Sequence, residues 1–176
     1  QNSRAPMIRA RQLEHYLSQR TGARYLLIAE ALGYQGGHFT GIAMTSERLL
    51  LGHLTGRGIE PDHLLPGLTG QRTSSPALNR NGFAEPTASI VWQTAIVGLG
   101  LAPTDFVLWN VFPWHPYCPE TGMLSNRTPK TSELQAAAPY LQRFIKLFSA
   151  RRIISIGRKA EASLATLGIE ASTVRH

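Results

Sequence analysis

Tyr25-Leu26-Leu27-Ile28-Ala29 is an apolar run between Arg24 and Glu30, and Gly33, Gly36, Gly37 and Gly41 follow it closely. The run is too short for a helix and reads as a buried strand, of the kind a parallel sheet holds in its middle. The glycines tolerate backbone conformations and close approaches that other residues resist, so the loop can bring its N–H groups against a ligand. A helix is expected next, with Thr45-Ser46 at its start and Glu47 in its first turn, where a negative charge suits the helix dipole. Strand, glycine loop and helix together favour an anion. The glycine spacing fits neither a Walker loop nor the dinucleotide fingerprint, which argues against ATP and NAD.

On the N-terminal side, Met7, Ala10, Leu13 and Leu17 recur near helical spacing until Thr21-Gly22, predicting an amphipathic helix. On the C-terminal side, residues 59–86 are rich in Pro, Gly, Ser, Thr and Asn, a long loop of the sort that tends to be functional. A helix is expected from Pro86 to about Leu99, then a strand over 105–111, an irregular stretch over 112–131 and a helix over 132–150 kinked at Pro139. A third strand over 152–156 turns at Gly157 into a short helix ending at Gly168, and a fourth covers 171–175. Strands alternating with helices predict one domain over 1–176, a three-layer α/β/α arrangement around a four-stranded parallel sheet. Ligands of such sheets gather past the carboxyl ends of the strands. That rule singles out residues 30–41, residues 110–117, Gly157-Arg158 and His176.

The net charge of +7 and the pI near 10.2 suit a protein that meets a polyanion. All the basic residues except Lys130, Lys146 and Lys159 are arginines, whose planar fork suits phosphate; a GC-rich coding sequence would give the same bias. The single cysteine, Cys118, can neither close an internal disulfide nor hold a cluster, and the six histidines lack metal-ligand spacing. No cofactor and no metal are expected. The chain shows no long apolar span and no leader pattern, so the expectation is a cytoplasmic protein with no membrane partner.

Ala29-Glu30-Ala31-Leu32-Gly33-Tyr34, with Thr40-Gly41-Ile42-Ala43-Met44-Thr45-Ser46-Glu47 behind it, resembles the first motif of the uracil-DNA glycosylase superfamily, notably the branch whose motif reads Gly-Glu-Ala-Pro-Gly. Leu108-Trp109-Asn110-Val111 resembles the strand that ends in the family's base-reading Asn. Ile156-Gly157-Arg158-Lys159-Ala160 resembles the turn before the last motif, and Val174-Arg175-His176 its His-Pro-Ser opening. The resemblance runs from Arg24 to His176, in motif order. It implies a cluster-free, monomeric DNA glycosylase that flips uracil or a related deaminated base out of single- or double-stranded DNA and hydrolyses its N-glycosidic bond in base excision repair.

Carried over residue by residue, the resemblance makes Ala31, Leu32, Gly33, Tyr34, Met44 and Asn110 the substrate-binding set. Asn110 would donate to O4 and accept from N3–H of uracil. His176 would donate toward O2 of the leaving base, as an oxyanion-hole donor does, and the chain stops there, short of the Pro-Ser and of the wedge loop expected beyond. Ala31 stands where the best-known branch has its water-orienting Asp. The acid is therefore sought at Glu30 first, then Glu47, with Asn110 third; a purely structural role for Glu30 is equally open. Met44 replaces the Phe that usually stacks on uracil, and Tyr34 is placed to wall off a thymine methyl.

For DNA contact, Gly36 and Gly37 offer backbone N–H groups to phosphate, Trp114 and His115 of Phe112-Pro113-Trp114-His115-Pro116-Tyr117 offer rings, and Arg127, Lys130 and Arg158 offer charge. Solvated surface charge and rings sealing a core edge remain the alternative readings of those residues. Two other functions stay open: a non-catalytic nucleic-acid binder, favoured by Ala31, and a nucleotide-binding enzyme using the glycine loop.

Overall fold

The computed structural model describes residues 4–148, 150 and 152–175. The chain forms α1 (Ala5–Ser18), β1 (Tyr25–Ala31), α2 (Gly37–Thr40), α3 (Glu47–Leu50), α4 (Pro61–Leu64), α5 (Pro86–Gln93), β2 (Phe106–Phe112), α6 (Thr131–Phe148), β3 (Arg152–Ile156), α7 (Arg158–Thr166) and β4 (Ser172–Val174). The helix expected after Ser46 is a single turn. The helix expected from Pro86 to Leu99 is α5 followed by a π-helical turn, Thr94–Gly98. The proline-rich span before α5 holds one short helix, α4. α6 runs through Pro139.

The four strands form one sheet in the order β2-β1-β3-β4, and every pairing is parallel. β1 is central, and its Leu26 and Ile28 are fully buried. Successive side chains of a strand point to opposite faces. On β2, Phe106 meets Trp92 of α5 edge-on at 5.1 Å, whereas Trp109 stacks on Phe144 of α6 at 3.9 Å. Helices therefore cover both faces, giving the three-layer α/β/α fold expected from the alternation of elements. Each fully buried large apolar side chain contributes about 1.5–3 kcal/mol.

α1 closes the edge beside β2. The Leu108 N–H donates to the Tyr16 hydroxyl at 2.9 Å, which satisfies a donor that an edge strand would otherwise leave open. Arg20, fully buried, lies 3.9 Å above the Tyr16 ring and donates to the carbonyls of Tyr16 and His63, tying the end of α1 to α4. Among the described residues no helix is long and apolar enough to cross a membrane.

The path of the chain fixes where a ligand can sit. From β1 the chain goes to β2 on one side, and from β3 to β4 on the other, so the connections leaving β1 and β3 diverge. Between two such strands the carboxyl ends leave a crevice.

Candidate active site

That crevice is a cavity of about 630 Å³. The end of β1 and the loop after it line it with Ala29, Glu30, Ala31, Leu32, Gly33 and Gln35; the end of β3 and the start of α7 add Ile156, Gly157, Arg158 and Lys159. Met44, Glu85, Pro86, Thr87, Asn126 and Arg127 complete the wall. Of the residues singled out in the sequence, Glu30, Ala31, Leu32, Gly33, Met44, Arg127 and Arg158 thus come together.

The glycine loop folds tightly over this space. The N–H groups of Gly36 and His38 both donate to the Gly33 carbonyl, and Tyr34 N–H donates to Asn126 Oδ1 at 3.0 Å. Tyr34 packs edge-on against Phe83 outside the cavity lining. Met44 is buried and holds φ at 46°, a left-handed conformation costly for a residue with a Cβ, of order 1–3 kcal/mol. The Trp92 indole N–H, donating to the Met44 carbonyl at 3.2 Å, helps to hold it there.

Asn110 is the penultimate pair of the β1–β2 ladder, opposite Ala29. In a parallel pair such partners share a face, and by alternation Ile156 of β3 shares it too. Asn110 therefore shares a sheet face with Ala29 and Ile156 of the cavity wall, but it lies buried beside them and is not itself among the residues that line the cavity. It is 1% exposed, and neither its amide oxygen nor its amide nitrogen has a hydrogen-bond partner. Buried polar atoms are nearly always paired, and leaving one unpaired costs about 1–3 kcal/mol.

The three acids at this end of the sheet differ sharply. Glu30 is at the rim, its Oε1 3.4 Å from Lys159 Nζ, and that ammonium also donates to the Thr128 hydroxyl. Glu47 is fully buried and engaged on both oxygens. Its Oε1 accepts from Thr73 and Ser74 N–H at 2.8 and 2.9 Å, and its Oε2 accepts from the Ser74 hydroxyl and Phe83 N–H. It is the hub of the 70–83 loop, outside the cavity lining. Glu85, which the sequence reading passed over, lies in the cavity. Burial pushes its carboxyl from the ordinary 4.5 up to about 7, and its Oε2 is buried without a partner. A Cβ on Gly36 would stand 2.1 Å from that oxygen, so a side chain there would push the carboxyl aside, while one on Gly33 would stand a tight 3.1 Å from Oε1.

The remaining residues lie further out. Gly37 and His115 line a smaller recess of about 250 Å³ with Arg9, His38 and Trp114. Burial, then the neighbouring His115 and Arg9, lower His38 to about 4, so its ring is neutral at physiological pH. His115 Nε2 meets the Ser125 carbonyl at 2.8 Å. Trp114 is half exposed and packs edge-on against Tyr140. Arg127 is held by a bidentate pair with Glu133 at 2.7 and 2.6 Å, whereas Arg158 and Lys130 are exposed. His176 is outside the described residues.

One signal for Glu85 was present in the sequence. It occupies the residue before Pro86, the N-cap position of α5, where Ser, Thr, Asp and Asn are the usual choices, and its side chain makes no cap hydrogen bond.

No curated protein matches the chain. The family model for the uracil DNA glycosylase superfamily matches residues 18–174, from the end of α1 through β4. The chain belongs to the uracil DNA glycosylase superfamily.

Proposed function

We propose that the protein excises uracil or a related deaminated base from DNA, single- or double-stranded, by hydrolysing the N-glycosidic bond. Its place would be in base excision repair, acting as a monomer. Membership of the superfamily supports a glycosylase in general; the Asn110 amide carries the finer reading. A buried amide with both polar atoms unpaired is costly in the free protein and is relieved by a ligand that presents one acceptor and one donor side by side. Uracil does so with O4 and N3–H, while cytosine reverses the two. Met44, held in its left-handed conformation, offers a polarisable sulfur against the base, and Tyr34 stands behind the loop. His176 is assigned the donor role toward O2 on the resemblance alone. The basic surface supplies attraction to phosphate.

The test is incubation with oligonucleotides carrying uracil, hypoxanthine or xanthine, followed by alkaline cleavage of abasic sites. Excision of at least one base is expected. Asn110→Ala is expected to lower the single-turnover rate by at least a hundredfold while DNA binding persists. Binding without strand breakage on every substrate would favour the non-catalytic reading that Ala31 suggests.

A further inference from the structure

We propose that Glu85 is the catalytic residue that takes the proton of the attacking water, so that the carboxylate of this protein comes from the segment before α5 and not from the loop after β1. The inference rests on the glycosylase reading above. Position 31, where a carboxylate would be sought, is an alanine in the wall of the cavity. The same wall contains the Glu85 carboxyl, brought against Gly33 and Gly36 so closely that any side chain at Gly36 would displace it. Glu30 is paired with Lys159 at the rim, and Glu47 has its oxygens filled by the 70–83 loop. Glu85 alone of the three keeps a buried oxygen with no partner.

In the reaction, water oxygen bonds to C1′ of the deoxyribose as the C1′–N bond breaks, and the electron pair of that bond leaves on the base as an anion. One water proton passes to Glu85. The base anion takes up a proton from solvent, and Glu85 returns its proton to solvent, so the products are the neutral base and a sugar bearing a C1′ hydroxyl. The charged groups sharing the cavity are Glu30, Lys159, Arg158 and Arg127, of which Lys159 is paired with Glu30 and Arg127 with Glu133. Burial is what raises the Glu85 carboxyl to about 7, close to the pH at which a general base is most effective.

The experiment is single-turnover excision by the full chain on a uracil-containing strand between pH 5.5 and 9. The wild-type rate is expected to rise about tenfold per pH unit and level off above about 7, as a single ionising base requires. Glu85→Gln is expected to lower the plateau by about 10²–10³-fold, to abolish the rising limb and to change the Kd for DNA less than threefold. A flat wild-type profile overturns the proposal, and so does a folded Glu85→Gln protein that keeps its rate within fivefold with the limb intact. If Glu85→Gln does not fold, the wild-type profile still decides. Wild-type excision that ignores Glu85 defeats this inference alone; no excision on any substrate defeats the glycosylase reading and takes this inference with it.

Discussion

Glu85 has a consequence for stability that is independent of any reaction. Its carboxyl titrates at about 7 in the folded chain and near the ordinary 4.5 when exposed, so between those values the folded state holds the extra proton. Stability is therefore greatest below the lower value, falls as pH rises through the window and stays low above about 7. At about 1.4 kcal/mol per unit, the penalty above pH 7 is on the order of 3–4 kcal/mol. Glu85→Gln removes it, and urea unfolding should show the variant gaining on the wild type between pH 5 and pH 8, with the two close at pH 5. Parallel curves would mean that Glu85 is solvated. In the sequence Glu85 showed only as an unusual N-cap before Pro86; its close approach to Gly36 is a contact across the fold that no local pattern carries. Asn110 was singled out by the family resemblance and its place near the end of the second strand; its burial and its unpartnered amide are visible only in the fold.

At the scale of elements, the 70–83 part of the long loop is latched by a buried acid, Glu47, alongside the hydrogen bonds that Arg72 makes within the loop. Glu47 sits at the first turn of α3, as its position after Thr45-Ser46 predicted, but its carboxylate reaches outward to gather Thr73, Ser74 and Phe83. A Cβ at Gly82 would lie 2.8 Å from the Glu47 Cβ, so loop and helix are in direct contact there. Hydrogen bonds to a charged acceptor are worth about 1.5–3 kcal/mol each. Glu47→Gln turns a donor toward one of these N–H or O–H groups, and a loss of about 2–3 kcal/mol in urea is expected, together with faster proteolysis within residues 70–83. An unchanged urea midpoint and cleavage pattern would show that the loop is held by other contacts. The first three strands were readable as short apolar runs, whereas β4, Ser172–Val174, is mostly polar and exposed. The latch was not readable, since a Glu at a helix start has a sufficient local explanation in the dipole and gives no sign of partners 26 and 27 residues away.

For the whole molecule, the same chain path that opens the crevice between β1 and β3 also decides which charges face it. α7 starts directly after β3, so Arg158 and Lys159 stand at the mouth, while Arg127 faces the same cavity with its guanidinium committed to Glu133. The net charge of +7 alone does not distinguish DNA binding from a basic surface. Salt dependence does, because each phosphate contact releases counterions and adds about one to the slope of log K against log salt. Affinity for an undamaged duplex is expected to fall steeply between 50 and 200 mM salt, by about 10³-fold or more if six or more phosphates are contacted. Arg158→Ala should reduce the slope by about one. Arg127→Ala should reduce it less, since that guanidinium would have to leave Glu133 to reach a phosphate. Asn110→Ala should leave the slope as it is, because an amide that reads a base displaces no counterions. Equal slopes in the wild type and Arg158→Ala would move the DNA path away from the start of α7.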